Sequence, residues 1–303
     1  MQYTEFGRTG LRVSRLGLGG APLAGDFGPV DEREIELMIH EAIDEGINFI
    51  DTAVRYGNGE SERRIGRALR EGRRNQIVLT TKAVGIDGDF SYRSTIESVE
   101  GSLQRLQTDW VDLLQIHDAE RTSFEVVMEE TLPALEKLRE QGKLRFIGIS
   151  TRRLPLLMQY VRSGRFDSIQ FYVRYMLIDH SAKDELLPLT QEHGIGVING
   201  SVLGMGLLAD TPAKFLKPDI IQAAEERKVK LRFLRRTEPH GLVEPGMRFS
   251  LTQPAIHVTL SGASTREMLR TNMAYCDGQG LAPDDQARVF ELFEGQKLLF
   301  PDE

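Results

Sequence analysis

The chain has 303 residues, of which 40% are hydrophobic and 27% charged, and its formal net charge is −7 at pH 7. This is ordinary globular composition, the length suffices to bury a large core, and we expect residues 1–303 to form a single domain. The net negative charge argues against nucleic acid as a partner, and no apolar stretch is long enough to cross a membrane. A single cysteine, Cys276, and an N-terminus without an apolar segment favour the cytoplasm.

Strand-like and helix-like segments alternate after a short hairpin predicted over 3–14, which turns at Arg8-Thr9-Gly10. The strand-like segments are short apolar runs, typical of buried parallel strands, at 15–19, 47–51, 76–82, 110–117, 144–149, 167–172, 195–201 and 256–261. The helix-like segments repeat apolar residues every three to four positions, at 31–45, 60–71, 92–107, 123–141, 153–163, 182–193, 218–236, 265–275 and 283–297. The segment 237–250 fits neither pattern and is expected to be a long loop or a helix break.

Eight strand–helix units predict an α/β fold, a (β/α)8 TIM barrel with the short N-terminal hairpin and an additional C-terminal helix. The alternative is a doubly wound sheet, because Gly17, Gly19 and Gly20 resemble a dinucleotide-binding fingerprint. In that motif a helix follows the glycines directly, whereas here the segment 21–29 intervenes. The barrel is therefore favoured, and the glycines predict close backbone approach at its mouth.

Four polar residues gather where the predicted strands end. Asp51, Lys82 and His117 each end an apolar run, and Tyr56 lies in the loop after Asp51. Chemistry in such barrels is done at the carboxyl ends of the strands. A nearby ammonium would lower the phenol pKa from about 10, a carboxylate would keep a buried lysine charged, and an imidazole could orient a substrate oxygen or relay a proton. The set suits proton transfer to a carbonyl or alcohol oxygen, and because it supplies no electrons it implies a nicotinamide or similar hydride carrier.

Three motifs of this chain resemble those of the aldo-keto reductases in order and spacing. They are Asp51-Thr52-Ala53-Val54-Arg55-Tyr56-Gly57 followed by Glu60, then Thr81-Lys82, and then Leu113-Leu114-Gln115-Ile116-His117. The resemblance extends from Gly7 to about Asn272. It implies a (β/α)8 barrel that binds a nicotinamide dinucleotide without a Rossmann fold. It also implies that Tyr56 is the general acid/base, that Lys82 and Asp51 tune it, and that His117 places the carbonyl.

The same resemblance implies a cofactor site. Its members are Gly20, Ser150, Thr151, Gln170, Ser201, Leu203, Gly206, Gly262, Ser264, Arg266 and Asn272. Two positions depart from the family pattern. Thr151 stands where asparagine is usual, so the donors of an amide are missing there. Ser264 stands where NADP-preferring members commonly carry Arg or Lys, although Arg266 and Arg270 could compensate. The cofactor could be NADP or NAD, with a slight preference for NAD or dual use.

The function expected from these residues is NAD(P)-dependent interconversion of a carbonyl (aldehyde, ketone or aldose) and its alcohol. Phe27, Asp118 and Tyr172 are expected to bind a small-molecule carbonyl or sugar, with Arg174 and Tyr175 near them at the mouth. One alternative is a cofactor-sensing regulatory protein on the same fold with little turnover, and another is an aldolase or lyase in which Lys82 forms a Schiff base. The histidines lack metal-ligand spacing, so no metal site is expected. A monomer or a small homo-oligomer is expected.

Overall fold

Eight parallel strands close into a barrel in the computed structural model, which describes residues 1–237 and 241–302. An antiparallel hairpin of β1 (Tyr3–Glu5) and β2 (Arg12–Ser14) precedes the barrel. The barrel strands are β3 (Leu16–Gly19), β4 (Phe49–Asp51), β5 (Val78–Ala83), β6 (Val111–Ile116), β7 (Leu144–Ser150), β8 (Ser168–Tyr172), β9 (Gly196–Gly200) and β10 (Val258–Gly262). Each strand pairs with the next in the chain, and β10 closes the barrel by pairing with β3.

Helices cover the outside of the barrel and bury their apolar faces against it. They are α1 (Glu32–Asp44), α2 (Glu60–Ala68), α3 (Tyr92–Leu106), α4 (Phe124–Val126), α5 (Leu132–Glu140), α6 (Leu154–Arg162), α7 (Leu186–Glu192), α8 (Pro218–Lys230), α9 (Val243–Thr252), α10 (Arg266–Ala274) and α11 (Pro283–Leu292). A π-helical segment over Val127–Thr131 joins α4 to α5, so the two run as one helix. No helix within the described residues is long and apolar enough to cross a bilayer.

The architecture confirms the predicted barrel, hairpin and additional C-terminal helix, and all eight strand boundaries lie within two residues of their predicted positions. Four helices are shorter than predicted by three residues or more: α2 ends at Ala68, α7 begins at Leu186, α8 ends at Lys230 and α11 ends at Leu292. Beyond Lys230 the chain continues in tight turns, in which the Leu231 and Leu234 amides bond to carbonyls three residues back. Both leucines are fully buried, so the turns carry apolar side chains into the core.

The segment 237–250 holds a helix that the sequence did not reveal. Residues 238–240 lie outside the described part of the chain, and α9 begins at Val243. Pro245 is the third residue of α9, where the backbone N–H has no intrahelical partner and its loss costs little. A Cβ on Gly246 would lie 3.1 Å from Leu208 and 3.2 Å from Leu203, so this glycine lets α9 pack closely. Pro245 and Gly246, which usually interrupt helices, are therefore compatible with α9 because of the position of the proline and the close packing at the glycine.

The amino end of the barrel is filled by the N-terminal hairpin and the residues around it. Phe6 is fully buried and packs at 5.8 Å, ring centre to ring centre, from Phe49 of β4. A Cβ on Gly196 of β9 would lie 2.6 Å from the Phe6 ring, so only glycine fits there. Leu11 and Val13 join the same buried cluster. The opposite, carboxyl end is where the strands deliver their polar residues.

Candidate active site

Asp51 and Lys82 form a buried ion pair at the carboxyl end of the barrel. Asp51 ends β4 and Lys82 lies on β5, and their side chains are 2% and 1% exposed. Lys82 Nζ lies 2.6 and 2.8 Å from the two carboxylate oxygens and donates a third hydrogen bond to the Thr52 carbonyl at 2.9 Å. Burial lowers the pKa of Lys82, but the Asp51 carboxylate and Tyr56 more than offset this, and its pKa lies above the ordinary value.

Tyr56 shares the ammonium of Lys82. Lys82 Nζ lies 3.3 Å from the phenol oxygen and 5.0 Å from the centre of the ring. The sequence led us to expect a lowered phenol pKa. In the structure burial raises the pKa of Tyr56, and the opposing effect of Lys82 is smaller. Tyr56 is therefore a protonated phenol at neutral pH, beside a charge that stabilises it once the proton leaves.

His117 stands against the edge of Tyr56, with the ring centres 5.9 Å apart and the planes at 87°. Burial and then the charge of Lys82 hold the pKa of His117 well below 6.5, so the imidazole is neutral. Its Nε2 lies 3.6 Å from a carboxylate oxygen of Asp118, and its Nδ1 is buried without a hydrogen-bond partner among the described residues. The neutral ring of His117 lines the cleft beside Tyr56.

A cleft of about 930 Å³ opens above these four residues, within the usual size range of ligand sites. Several residues of the expected cofactor site line it, namely Gly20, Ser150, Gln170, Ser201, Leu203, Gly206, Gly262 and Ser264. A Cβ on Gly20 would lie 2.7 Å from both the Asp51 carbonyl and the Ser61 hydroxyl, so glycine keeps this wall of the cleft in place. The backbone is left-handed at Ser201, Gly204, Met205 and Gly206, and turns of this kind form concavities suited to anions. The cleft therefore fits an extended molecule carrying phosphates.

The remaining members of the expected cofactor site do not line the cleft. The hydroxyl of buried Thr151 accepts a hydrogen bond from the Arg153 amide, and Asn272 donates to the Ser261 hydroxyl at 2.6 Å. The Glu34 carboxylate holds Arg266. It accepts hydrogen bonds from the backbone amide and from the guanidinium of Arg266, each at 3.2 Å. Their assignment to cofactor binding stays a prediction.

The expected substrate residues lie around the mouth of the cleft. Asp118 pairs with Arg55 at 3.3 Å, and burial followed by the neighbouring Glu120 carboxylate raises the pKa of Asp118 to about 6. Tyr172 donates a hydrogen bond to Glu120 at 3.1 Å. The exposed ring of Phe27 meets that of Phe215 at 5.8 Å. These contacts give the mouth both carboxylates and aromatic rings.

Arg174 and Tyr175, which the sequence placed at the mouth, are fully buried elsewhere. Arg174 donates to the carbonyls of Arg152 and Phe300 at 2.8 and 2.7 Å, and so fastens the C-terminal segment to the barrel. Tyr175 stacks on Phe249 of α9 at 4.8 Å.

Sequence reasoning missed two buried groups beside the four residues. Glu62 of α2 is fully buried and accepts hydrogen bonds from Thr81 and Arg105, each at 2.6 Å. Gln115 of β6 is fully buried next to Asp51. The sequence did contain a signal for both residues. Each is a polar residue at a position where the pattern of its helix or strand predicts a buried apolar one.

A family model described as the aldo/keto reductase family matches residues 15–293. The chain belongs to the aldo/keto reductase family. It is 36% identical over 281 residues to an L-galactose dehydrogenase of Arabidopsis thaliana, covering 90% of this chain and 88% of the relative. It is 30% identical over 296 residues to a D-threo-aldose 1-dehydrogenase of Pseudomonas sp, covering 88% and 90%. It is 31% identical over 305 residues to an NADH-specific methylglyoxal reductase of Escherichia coli (strain K12), covering 90% and 93%.

The fold is also that of a solved family member. An aldo-keto reductase from Bacillus halodurans in its holo form superposes with a TM-score of 0.82 at 28% identity, over 100% of this chain and 99% of that one. Family membership and the relatives' names support an oxidoreductase.

Proposed function

We propose that this aldo-keto reductase interconverts a carbonyl and its alcohol with a nicotinamide dinucleotide, and that Tyr56 is its general acid/base. The observation that carries the proposal is the Tyr56 phenol, 3.3 Å from the Lys82 ammonium beneath an open cleft. A phenol beside a fixed positive charge can release a proton to an oxygen and take it back. Because the phenol pKa is raised by burial, Tyr56 is in the protonated form that carbonyl reduction needs.

Each of the four residues has a distinct part in this chemistry. Tyr56 donates its proton to the carbonyl oxygen in reduction and accepts a proton from the alcohol in oxidation. Lys82 stabilises the phenolate, and Asp51 keeps Lys82 charged. Neutral His117 hydrogen-bonds the substrate oxygen and so holds it near Tyr56. The nicotinamide, when bound, supplies or accepts the hydride.

The cleft offers suitable groups for the dinucleotide. Ser150 and Gln170 would hold the carboxamide, the left-handed segment 201–206 the pyrophosphate, and Ser264 the adenosine end. The Lys82 ammonium, tied to a carboxylate and with a raised pKa, is a poor nucleophile, which disfavours the Schiff-base alternative.

NAD, or dual use of NAD and NADP, is the cofactor choice that the charges favour. Arg266 is paired with Glu34 and Arg270 with Glu41, so both guanidiniums already have carboxylate partners. A 2′-phosphate would have to compete with those carboxylates or lie near them. The name of the NADH-specific relative points the same way.

A sugar is the first substrate class to test. Two relatives are named as dehydrogenases of L-galactose and of D-threo-aldoses. The carboxylates of Asp118 and Glu120 and the phenol of Tyr172 near the mouth can hydrogen-bond sugar hydroxyls. Simple aldehydes remain the comparison set, because the E. coli relative is named for methylglyoxal reduction.

Tyr56→Phe is the decisive variant. It removes the phenolic proton and keeps the ring, so we expect turnover to fall by about 10²–10⁴-fold while NADH affinity stays within a few-fold of wild type. NADH and NADPH fluorescence titrations measure affinity, and a screen of aldoses and aldehydes in both directions measures turnover. Tyr160→Phe is the matched control, because Tyr160 is buried against Phe124 and Phe166, remote from Lys82. Near wild-type turnover by Tyr56→Phe would exclude this role for Tyr56.

A further inference from the structure

Gln115 connects the ion pair to the cofactor wall of the cleft. It lies on β6 one position before the strand ends, and its side chain is fully buried. Its Nε2 lies 3.1 Å from Asp51 Oδ1 and 2.7 Å from Gln170 Oε1, with the Thr80 hydroxyl farther away at 3.3 Å. A carboxamide nitrogen has two hydrogens, so the two shorter contacts use both.

These two bonds determine how the neighbouring groups are oriented. Asp51 Oδ1 receives hydrogen bonds from Lys82 and from Gln115, both of which favour its charged form. Gln170 directs its Oε1 towards Gln115 and its amide nitrogen towards Asp51, which leaves one amide hydrogen for another acceptor. Since Gln170 lines the cleft, its donor is then available to a bound molecule.

We propose that Gln115 is a positioning residue that couples the acid/base group to the cofactor site, by holding the Asp51 carboxylate with one N–H and the Gln170 amide with the other. The inference rests on the proposed function, because the cofactor site is part of it. A continuous hydrogen-bonded path then runs from Gln170 through Gln115, Asp51 and Lys82 to Tyr56.

The N–H groups of Gln115, and not its carbonyl, carry its proposed role. Its Oε1 is buried without a hydrogen-bond partner among the described residues, and an unsatisfied buried acceptor lowers stability. Methionine, an unbranched side chain of similar length, would occupy the same space without that acceptor. The benefit of the amide therefore lies in its two N–H groups and in the residues that they orient.

Gln115→Met tests the proposal in the unliganded protein. The Asp51 carboxyl carbon is followed by NMR across pH in protein labelled at aspartate, with the signal assigned by its absence in Asp51→Asn. We expect the midpoint of the Asp51 titration to rise by about one pH unit, because one donor to the charged form is lost while Lys82 and Gln170 remain. In a parallel fluorescence titration, NADH should bind about tenfold more weakly, since Gln170 is no longer oriented.

Asn199→Leu is the matched control. Asn199 of β9 is also a fully buried amide, but it donates to the Tyr175 carbonyl and the Ser250 hydroxyl instead of to the four residues. We expect this variant to lose stability without moving the Asp51 titration. An unchanged Asp51 midpoint in Gln115→Met, or a raised midpoint with unchanged NADH affinity, would overturn the coupling. A wild-type protein that binds neither NADH nor NADPH would refute the proposed function instead, and the Asp51 midpoint would still decide whether Gln115 holds that carboxylate.

Discussion

Lys82→Met is expected to lower the free energy of unfolding by about 3–5 kcal/mol at pH 8, the usual cost of leaving one member of a buried ion pair alone. The two side chains are 1% and 2% exposed, so water cannot replace the ammonium. After the change the Asp51 carboxylate keeps neutral donors alone, the amides of Gln115 at 3.1 Å and of Gln170. Methionine fills most of the space of lysine, so the loss comes mainly from the charge and only to a small extent from packing.

The dependence of this loss on pH has a definite sign. Burial raises the pKa of Asp51, and in the variant no ammonium opposes that effect. A carboxyl group whose pKa is higher in the folded than in the unfolded state, about 3.9, binds more protons when folded. The unfolding free energy then falls as pH rises between those two pKa values, by at most about 1.4 kcal/mol per pH unit. The deficit relative to wild type should therefore be smaller at pH 5 than at pH 8.

Urea unfolding of both proteins at pH 5 and pH 8, followed by circular dichroism, measures the deficit. The double variant Asp51→Asn/Lys82→Met removes the buried charge as well, and it should recover most of the stability lost at pH 8. A deficit below about 1 kcal/mol, or the same deficit at both pH values, would contradict a buried carboxylate held by Lys82.

Two further substitutions test the mouth and the adenosine end. Burial and the neighbouring Glu120 raise the pKa of Asp118 to about 6. The pH profile of kcat/KM should therefore show a transition near pH 6 that is absent in Asp118→Asn, and a transition that persists in the variant would exclude Asp118 as its source. Ser264→Arg adds a guanidinium that is free of the carboxylates holding Arg266 and Arg270, so the Kd for NADPH should fall about tenfold or more relative to that for NADH, and an unchanged ratio would show that position 264 does not meet the 2′-phosphate.

The strands and the ion pair could be predicted from sequence because both follow local rules. Each apolar run between turns had one plausible register, and a polar residue at its end had to lie at the same rim as the others. Asp51 and Lys82 needed no further information, since adjacent strand ends bring them together. The helix α9 could not be predicted in this way. Pro245 is tolerated because it lies in the first turn of the helix, and Gly246 is suited to its position because leucines of another loop pack closely against it.

The sequence could not show how deeply each catalytic candidate is buried, and this burial determines the direction in which the pKa of Tyr56 moves. The ammonium of Lys82 does favour the phenolate, but the desolvation of Tyr56 is larger, and only the packed barrel shows the balance. Arg174 illustrates the same limit. Its position just after a predicted strand suggested the mouth of the cleft, whereas carbonyls from residues 152 and 300 hold it in a buried position that no local pattern indicates.

The plug formed by Phe6 and Leu11 at the amino end has a consequence for the timing of the reaction. Within the described residues the barrel is packed at that end, so Tyr56 exchanges protons with water through the cleft. A substrate seated over Tyr56 fills the same passage. In the proposed reaction, substrate, product and proton would therefore all pass through the cleft, and Tyr56 would regain the proton given up in reduction only after the alcohol has left.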